Sequence, residues 1–536
     1  MSKDNFWSQL HHERLTRRRL LGSATLGSIG LVAAALIGCG GEEKEESKNE
    51  GGAAGQPAVK RGSIVYGANY PGQSLSPNAA VVSGLPEFQG IFDALTRMNS
   101  KAELEPGLAT SWELDPKDKR KWIFRLRDAA WQDGKPFRAE DVKFTFDYVV
   151  DSNNKSAVIT RAGTVDSVQV IDNKTVAITA KGAGDPILPK RVTEVLIQPK
   201  HYIGDPAFGD QAQATKPIGT GAYLLDEYAR GSRIKLKLNP TSWRGTQGVD
   251  AADIRLVTDN QTRLAAFESA DLDLITSVPL PDIDRVRAQK NVTVTRGIPS
   301  GYTGWDLEYF DPPVSDKRVR LAINYAVDMA QIAKTVFFGL PKVMTQAVTE
   351  TTFGYNPNIK GYKFDPDQAR SLLKQAGYGD GIKVKMGFRS GHGVQSSEFA
   401  QAMADYLKDV GIRTELIPLE INVWRDRIYG RTKKEPIMNN TWVSGAYREA
   451  SVALQWFLST DQGKAYNRKD FDEAYQAAVE EFDEEKRKQF YWKCLAIFYE
   501  DPPDNWGVEG VGASAYRADK IKAFDDLSVL DTMILA

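Results

Sequence analysis

The spacing of apolar and polar positions changes period several times along the chain, and each period predicts an element. "GSIVYGAN" (62–69) is a short run of small, β-branched and aromatic residues and predicts a first strand. "KWIFRLR" (121–127) alternates with period two and predicts another strand. After the Asp-Gly turn of "WQDGKPF", the stretch "RAEDVKFTFDYV" (138–149) opens with acids and predicts a helix start. "SVQVIDNKTVAITA" (167–180) reads as two strands around Asp172-Asn173-Lys174, and "PIGTGAYLLDEYARGSRIKLKLN" (217–239) as a second hairpin turning near Gly231.

From about Asp253 the texture becomes strand–helix alternation. "DIRLVT", "QTRLAAFESA", "LDLI", a helix near 281–289 and "NVTVTR" predict α/β units with at least partly parallel strands. "DKRVRLAINYAV" and "MAQIAKTVFFG" carry the i, i+3, i+4 pattern of amphipathic helices. "FDPDQARSLLKQAGYG" is the best-marked helix. Asp365 suits its cap and Pro366 its first turn. Ala369, Leu372, Leu373 and Ala376 share one face, and Gly377 suits a left-handed stop. "IKVKMGF", a helix at 396–410, "RTELIPL" and a helix around Trp424 continue the alternation. The last third is largely helical to Tyr499, with short strand-like runs after Asn505.

The first 38 residues follow a different rule. Arg14, Arg17, Arg18 and Arg19 precede an uncharged run, 20–37, the order of a signal peptide. Several Gly, Ser and Thr residues make that run a poor permanent span. "TRRRLL" (16–21) resembles a twin-arginine export signal, and "LIGC" (36–39) resembles a bacterial lipobox, in which Cys39 is diacylated and becomes residue one. Two acyl chains are the usual requirement for stable attachment. The charged, Gly-rich residues 39–60 predict a lipidated flexible tether. The body after Cys39 is therefore expected outside the cytoplasm, at the periplasm or cell surface.

Composition narrows the chemistry. The chain has 536 residues and a formal charge of −1. The leader through Gly38 is +3, which leaves −4 for the remainder. With no basic stripe, nucleic acid is not an expected partner. Cys39 and Cys494 are the two cysteines, so with Cys39 lipidated no disulfide forms within the body. Of four histidines, His11 and His12 lie in the leader, leaving His201 and His392. No multi-histidine zinc site, no metal and no cofactor are expected. No G-x-S-x-G elbow recommends a serine hydrolase. "PIGTGAY" (217–223) lacks the Lys-Ser/Thr of a phosphate loop and leads into a strand, so its glycines are read as permitting a tight turn into the hairpin.

"WIFRLRDAAWQDGKPFRAEDVKFTFDYV", "PIGTGAY", "FDPPVSDKRVRLAINYAVD" and "FDPDQARSLLKQAGY" occur in this order at characteristic separations. Together they resemble the solute-binding proteins of bacterial ABC transporters, in the peptide/nickel-binding class, family 5. The resemblance runs over about residues 62–530. It implies an α/β, two-lobed periplasmic-binding-protein-like fold with a hinge and an extra β-rich subdomain in lobe one. Laid on this chain, 61–85, 215–300 and 506–536 form lobe one, 86–214 its inserted subdomain and 301–505 lobe two. Within the blocks, Asp141 and Arg320 are read as fold-stabilising.

The resemblance also implies a lipid-anchored monomeric receptor that captures an oligopeptide or similar solute and delivers it to an ABC permease with its ATPase subunits. Candidate solute contacts are Tyr302 and Trp305 in "GYTGWDLEY" (301–309), Trp424, and Trp442, Gly445, Ala446, Tyr447 and Glu449 in "TWVSGAYREA" (441–450). The aromatics suit stacking on a sugar or apolar group, with core packing the alternative for each Trp. Peptide-binding relatives read Trp-x-x-Asp in the second segment, where the Asp pairs with a terminal amine. Here that position is Gly445, and Glu449 is the substitute acid. No catalytic residue is assigned. The competing readings are a glycoside hydrolase or other extracellular hydrolase, whose carboxylate pair is a property of the fold rather than of spacing, an oligosaccharide receptor, and a sensor that docks on a membrane signalling partner.

Overall fold

The computed structural model describes residues 62–536 apart from 71, 80–84, 100, 102, 206–208, 246–247, 300, 391–394, 431–432, 444–446, 461–465 and 525–528. The expected signal segment, Cys39, the tether and His392 lie outside the described residues.

In chain order, β1 (Ser63–Ala68) and the short helix α1 (Pro86–Ile91) come first. Then β2 (Ala109–Leu114), β3 (Lys121–Leu126), α2 (Ala139–Val150), β4 (Val165–Asp172) and β5 (Thr175–Ala180) form a separate antiparallel sheet, in the order β2-β3-β5-β4. Val142, Phe146 and Val149 of α2 pack on Phe124 and Ile178 of that sheet. Asp141 holds the helix start. Its carboxylate accepts hydrogen bonds from the Arg138 and Lys200 amides and the Trp131 indole, as its fold-stabilising reading requires.

Next come β6 (Tyr223–Ala229), β7 (Arg233–Leu238), β8 (Ala251–Leu256), α3 (Asn260–Glu268), β9 (Leu274–Ile275) and β10 (Val292–Arg296). With β1 and a late strand, β16 (Ala513–Arg517), they build a seven-stranded sheet in the order β10-β16-β9-β1-β8-β7-β6. β1 lies between β8 and β9 and runs parallel to both. The hairpin β6–β7 turns at Gly231, whose φ of 72° suits glycine.

The glycines that precede this hairpin have a different role from the one their sequence suggests. A Cβ on Gly219 would lie 1.8 Å from the Ile91 carbonyl oxygen, and one on Gly221 2.2 Å from that of Gly90. The block is glycine-rich because the end of α1 presses on it, with the Gly221 amide donating to Ile91 at 2.9 Å. Neither residue needs a positive φ.

The other half holds β11 (Gly301–Leu307), α4 (Lys317–Ala326), α5 (Met329–Thr335), α6 (Pro366–Gln375), β12 (Ile382–Arg389), α7 (Ser396–Asp409), β13 (Ile412–Leu419), α8 (Ile421–Ile428), β14 (Ile437–Val443), α9 (Ala450–Leu454), α10 (Lys469–Glu480), α11 (Glu484–Glu500) and β15 (Asp504–Glu509). Its five strands order as β13-β12-β14-β11-β15. α6 is capped as its sequence predicts. The Asp365 side chain accepts from the Gln368 amide, Ala369, Leu372 and Leu373 are buried, and Gly377 has φ 88°. Arg320, 1% exposed, pairs with Asp501 and donates to the Val314, Ser315 and Pro502 carbonyls, a structural clamp.

The chain passes between the two large sheets twice, from β10 to β11 and from β15 to β16. The passages are stitched together: the Gly510 amide donates to Gly301 at 2.8 Å and the Gly297 amide to Gly512 at 2.9 Å. One hydrophobic cluster runs beneath them, from Leu264 and Phe267 of α3 through Trp305 of β11 to Phe399 and Leu407 of α7. Among the described residues no helix is long and apolar enough to cross a membrane.

Candidate functional site

Topology points to one edge of each large sheet as the candidate site. In open α/β sheets that edge lies beyond the carboxyl ends of the parallel strands. In the seven-stranded sheet, β1, β8 and β9 end at Ala68, Leu256 and Ile275. β10 runs the same way, because it pairs antiparallel with β16, which pairs antiparallel with β9. In the five-stranded sheet, β12, β13 and β14 are parallel and end at Arg389, Leu419 and Val443, while β11 begins at that same edge with Gly301 opposite Val443. The passage from β10 to β11 therefore leaves one carboxyl edge and arrives at the other. The two edges flank a two-stranded crossing, the arrangement of a cleft that closes about a hinge.

On the lobe-one edge, the Asn69 side chain donates to the Ser277 hydroxyl at 2.7 Å and the Tyr66 hydroxyl lies 3.3 Å from that of Thr276. Arg263 fixes this edge from behind by donating to the Val257, Thr276 and Ser277 carbonyls.

On the lobe-two edge the candidate residues divide into three places. Tyr302 and Trp305 turn into the lobe. The Tyr302 ring meets Trp506 edge-on at 5.6 Å, and its hydroxyl donates to Asp504 at 3.0 Å. Burial and the neighbouring Asp306 push the Asp504 carboxyl well above the usual carboxylate range. Asn440 donates to both of these carboxylates, and Lys434 lies 3.5 Å from Asp306. The Trp305 ring packs against Phe399 at 5.2 Å with no exposed surface.

Trp424, in the middle of α8 and buried in the core of this lobe, holds the Asn439 carbonyl through its indole N–H at 2.7 Å. The Arg389 guanidinium lies 5.3 Å from its ring centre. Arg389 ends β12, and partial burial together with the nearby Arg425 lowers its affinity for its proton. Pattern reading missed Arg389. Its one signal is a cation at the end of an alternating strand just before "SGHG".

The third place follows β14. Trp442 pairs with Tyr302 in the strand register, but its side chain, like Gly445 and Ala446, lies outside the described residues. Tyr447 packs with Ile187 and Val452, and Arg191 donates to its hydroxyl at 3.3 Å. Glu449 has no exposed surface. One carboxylate oxygen takes Lys190 at 2.9 Å and the other takes Arg487 at 3.1 Å. Sequence reasoning had no means of finding Lys190 and Arg191, which stand more than 250 positions away. Among the described residues no group of three or more His, Cys, Asp or Glu is placed to hold a metal ion.

This architecture has clear relatives. Residues 103–465 match the model of the bacterial extracellular solute-binding proteins, family 5, middle region. The Dipeptide-binding protein of Escherichia coli K12 is 25% identical over 435 residues, covering 75% of this chain and 80% of that protein. Heme-binding protein A of Haemophilus influenzae is 24% identical over 525 residues, covering 90% and 93%. The periplasmic binding protein DppA of Helicobacter pylori, solved with the peptide STSA, superposes with a TM-score of 0.73 at 21% identity, covering 89% of this chain and 98% of that one. With its two lobes and double crossing, the chain belongs to the bacterial extracellular solute-binding proteins of family 5, the receptor class that serves ABC importers.

Proposed function

We propose that the protein captures an oligopeptide or similar solute between its lobes and hands it to an ABC permease, held at the outer face of the cytoplasmic membrane by a diacylated Cys39. The observation that carries this reading is the meeting of two carboxyl edges at a stitched double crossing, one edge bearing Arg389 on Trp424. The peptide- and dipeptide-binding relatives support the solute class. An extended peptide is held through its main chain, with side chains in tolerant pockets. Solute contacts are assigned to Trp442, Gly445 and Ala446, with the buried Trp424, Tyr447, Tyr302 and Trp305 supporting them from inside the lobe.

Glu449 already has two cations, so a solute amine would have to displace Lys190 to use it. Recognition is therefore expected not to depend on a free terminal amine. Native mass spectrometry of the purified receptor identifies the co-purified solute. Calorimetry with free and N-acetylated peptides, oligosaccharides and haem then ranks the classes. Peptide binding within about threefold for the free and acetylated forms, with a micromolar Kd (about −8 kcal/mol) and no turnover, is the expected result. Released product would replace this reading with the hydrolase. For the anchor, Cys39→Ala moves the protein out of the membrane fraction; unchanged partition would refute lipidation.

A further inference from the structure

The segment 185–194 belongs to the chain that follows β5, on the lobe-one side, yet it also reaches lobe two through an ion pair and a hydrogen bond. It is firmly held at its base. The Trp122 indole donates to the Asp185 carbonyl at 3.0 Å, and the Asp185 carboxylate pairs with Arg191 at 2.7 Å. The Thr96 hydroxyl donates to the Pro189 carbonyl at 2.6 Å, and Leu188 and Val192 are buried in the core beneath the four-stranded sheet. A one-turn helix, Leu188–Arg191, then presents Lys190 and Arg191 outward.

These two cations meet the segment after β14. Lys190 reaches Glu449, and Arg191 reaches Tyr447. Ile187 packs with Tyr447 and Val452. The lobe-two side is also held from behind. Arg487 of α11 takes the second oxygen of Glu449, and Lys190 and Arg487 lie 5.0 and 4.9 Å from the centre of the Phe353 ring. The carboxylate is wholly enclosed while the Lys190 side chain is 18% exposed. The two supports thus meet through an ion pair, a hydrogen bond and an apolar contact, and the partners of the ion pair come from opposite sides of the hinge.

We propose that this contact is a latch: the ion pair of Lys190 with Glu449 sets the balance between closed and open lobes before any solute is bound. The inference rests on the open–closed reading but not on the identity of the solute. Glu449 is then the keeper of the latch, and its residue type is fixed by Lys190 and Arg487. A ligand shifts a conformational equilibrium only by its differential affinity for the two states. A latch that already favours closure therefore raises apparent affinity without touching the solute. Removing one partner of an enclosed pair is costly to the state that encloses it. Lys190→Met should therefore lower the closed-to-open ratio by about tenfold or more.

The test is single-molecule energy transfer on the detergent-solubilised full chain without solute. Dyes are placed at Asp128→Cys and Asp367→Cys, positions whose side chains are 100% and 92% exposed. Cys494 has no exposed surface and stays unlabelled, and Cys39 is replaced by Ala in every variant so that it takes no dye. Lys190→Met should populate the long-distance state at least tenfold more than the parent, Lys190→Arg should restore the parent ratio, and Glu449→Gln combined with Lys190→Met should add little to Lys190→Met alone. Circular dichroism and urea midpoints check that each variant is folded. If the parent shows two states and Lys190→Met leaves their ratio within twofold, the latch is refuted while the hinge reading stands. One state in every variant overturns both.

Discussion

Replacing Glu87 with Gln should stabilise this protein, and increasingly so as the pH rises. Glu87 sits in the first turn of α1 and is 1% exposed. Its Oε2 accepts the Tyr70 hydroxyl, and its Oε1 has no hydrogen-bond partner among the described residues. The helix start and the Tyr70 bond both favour the charged form, but burial outweighs them and raises the carboxyl from 4.5 to about 7. Between those values the folded state binds more protons than the unfolded state, so stability is fully present below pH 4.5 and falls as pH rises through 7. At 1.36 kcal/mol per pH unit the loss approaches about 3 kcal/mol by pH 8, of which about 2.5 kcal/mol accrues between pH 5 and 8. A glutamine keeps the shape and an acceptor for Tyr70 and does not ionise. Urea unfolding of parent and Glu87→Gln at pH 5, 6, 7 and 8 isolates the effect, because every other titrating group is common to both. The variant's advantage should grow steadily with pH. A difference that is flat across this range, or that shrinks toward pH 8, would refute the argument that an enclosed, ionising Glu87 strains the folded state.

Three further outcomes follow from the packing. Arg320→Met removes the clamp on Asp501 and three carbonyls and should cost about 3–5 kcal/mol in urea unfolding; a cost under about 1 kcal/mol would deny it a structural role. Gly221→Ala drives a methyl into the Gly90 carbonyl and should cost about 2 kcal/mol or more, whereas Gly379→Ala, with nothing nearer than 3.6 Å, should stay within about 0.5 kcal/mol. Burial pushes the Cys494 thiol up to about 12, so a thiol-selective disulfide reagent should leave it unmodified until the protein unfolds; prompt reaction in the native state would contradict its enclosure.

Local structure was legible in the sequence where the forces are local. The helix Pro366–Gln375 carries its cap, its buried face and its stop within a dozen residues, and the hairpin at Gly231 announces its own turn. Sheet order was not legible. Nothing within "GSIVYGAN" says that this strand will lie between two strands about 190 and 210 positions later, because parallel pairing is decided by what the helices between can cover. The same limit governed the site. Trp305 and Trp424 look equally suited to a cleft. Both are buried: Trp305 faces Phe399 inside the shared cluster, while Trp424, in the middle of α8, packs in the second cluster of lobe two and differs in having the Arg389 guanidinium against its ring. Glu449 stood out as an acid near the expected position, but its partners come from 259 positions before and 38 positions after it.

β16 has a consequence for biosynthesis. It lies between β9 and β10, yet more than 210 residues are translated between those neighbours and β16 itself. Until residue 517 leaves the ribosome, β9 and β10 have no strand to join them, and each presents unpaired amides and carbonyls to other nascent chains. Lobe one can therefore mature only after synthesis of lobe two has passed, and an exporter that accepts only completed folds would receive this protein late and whole.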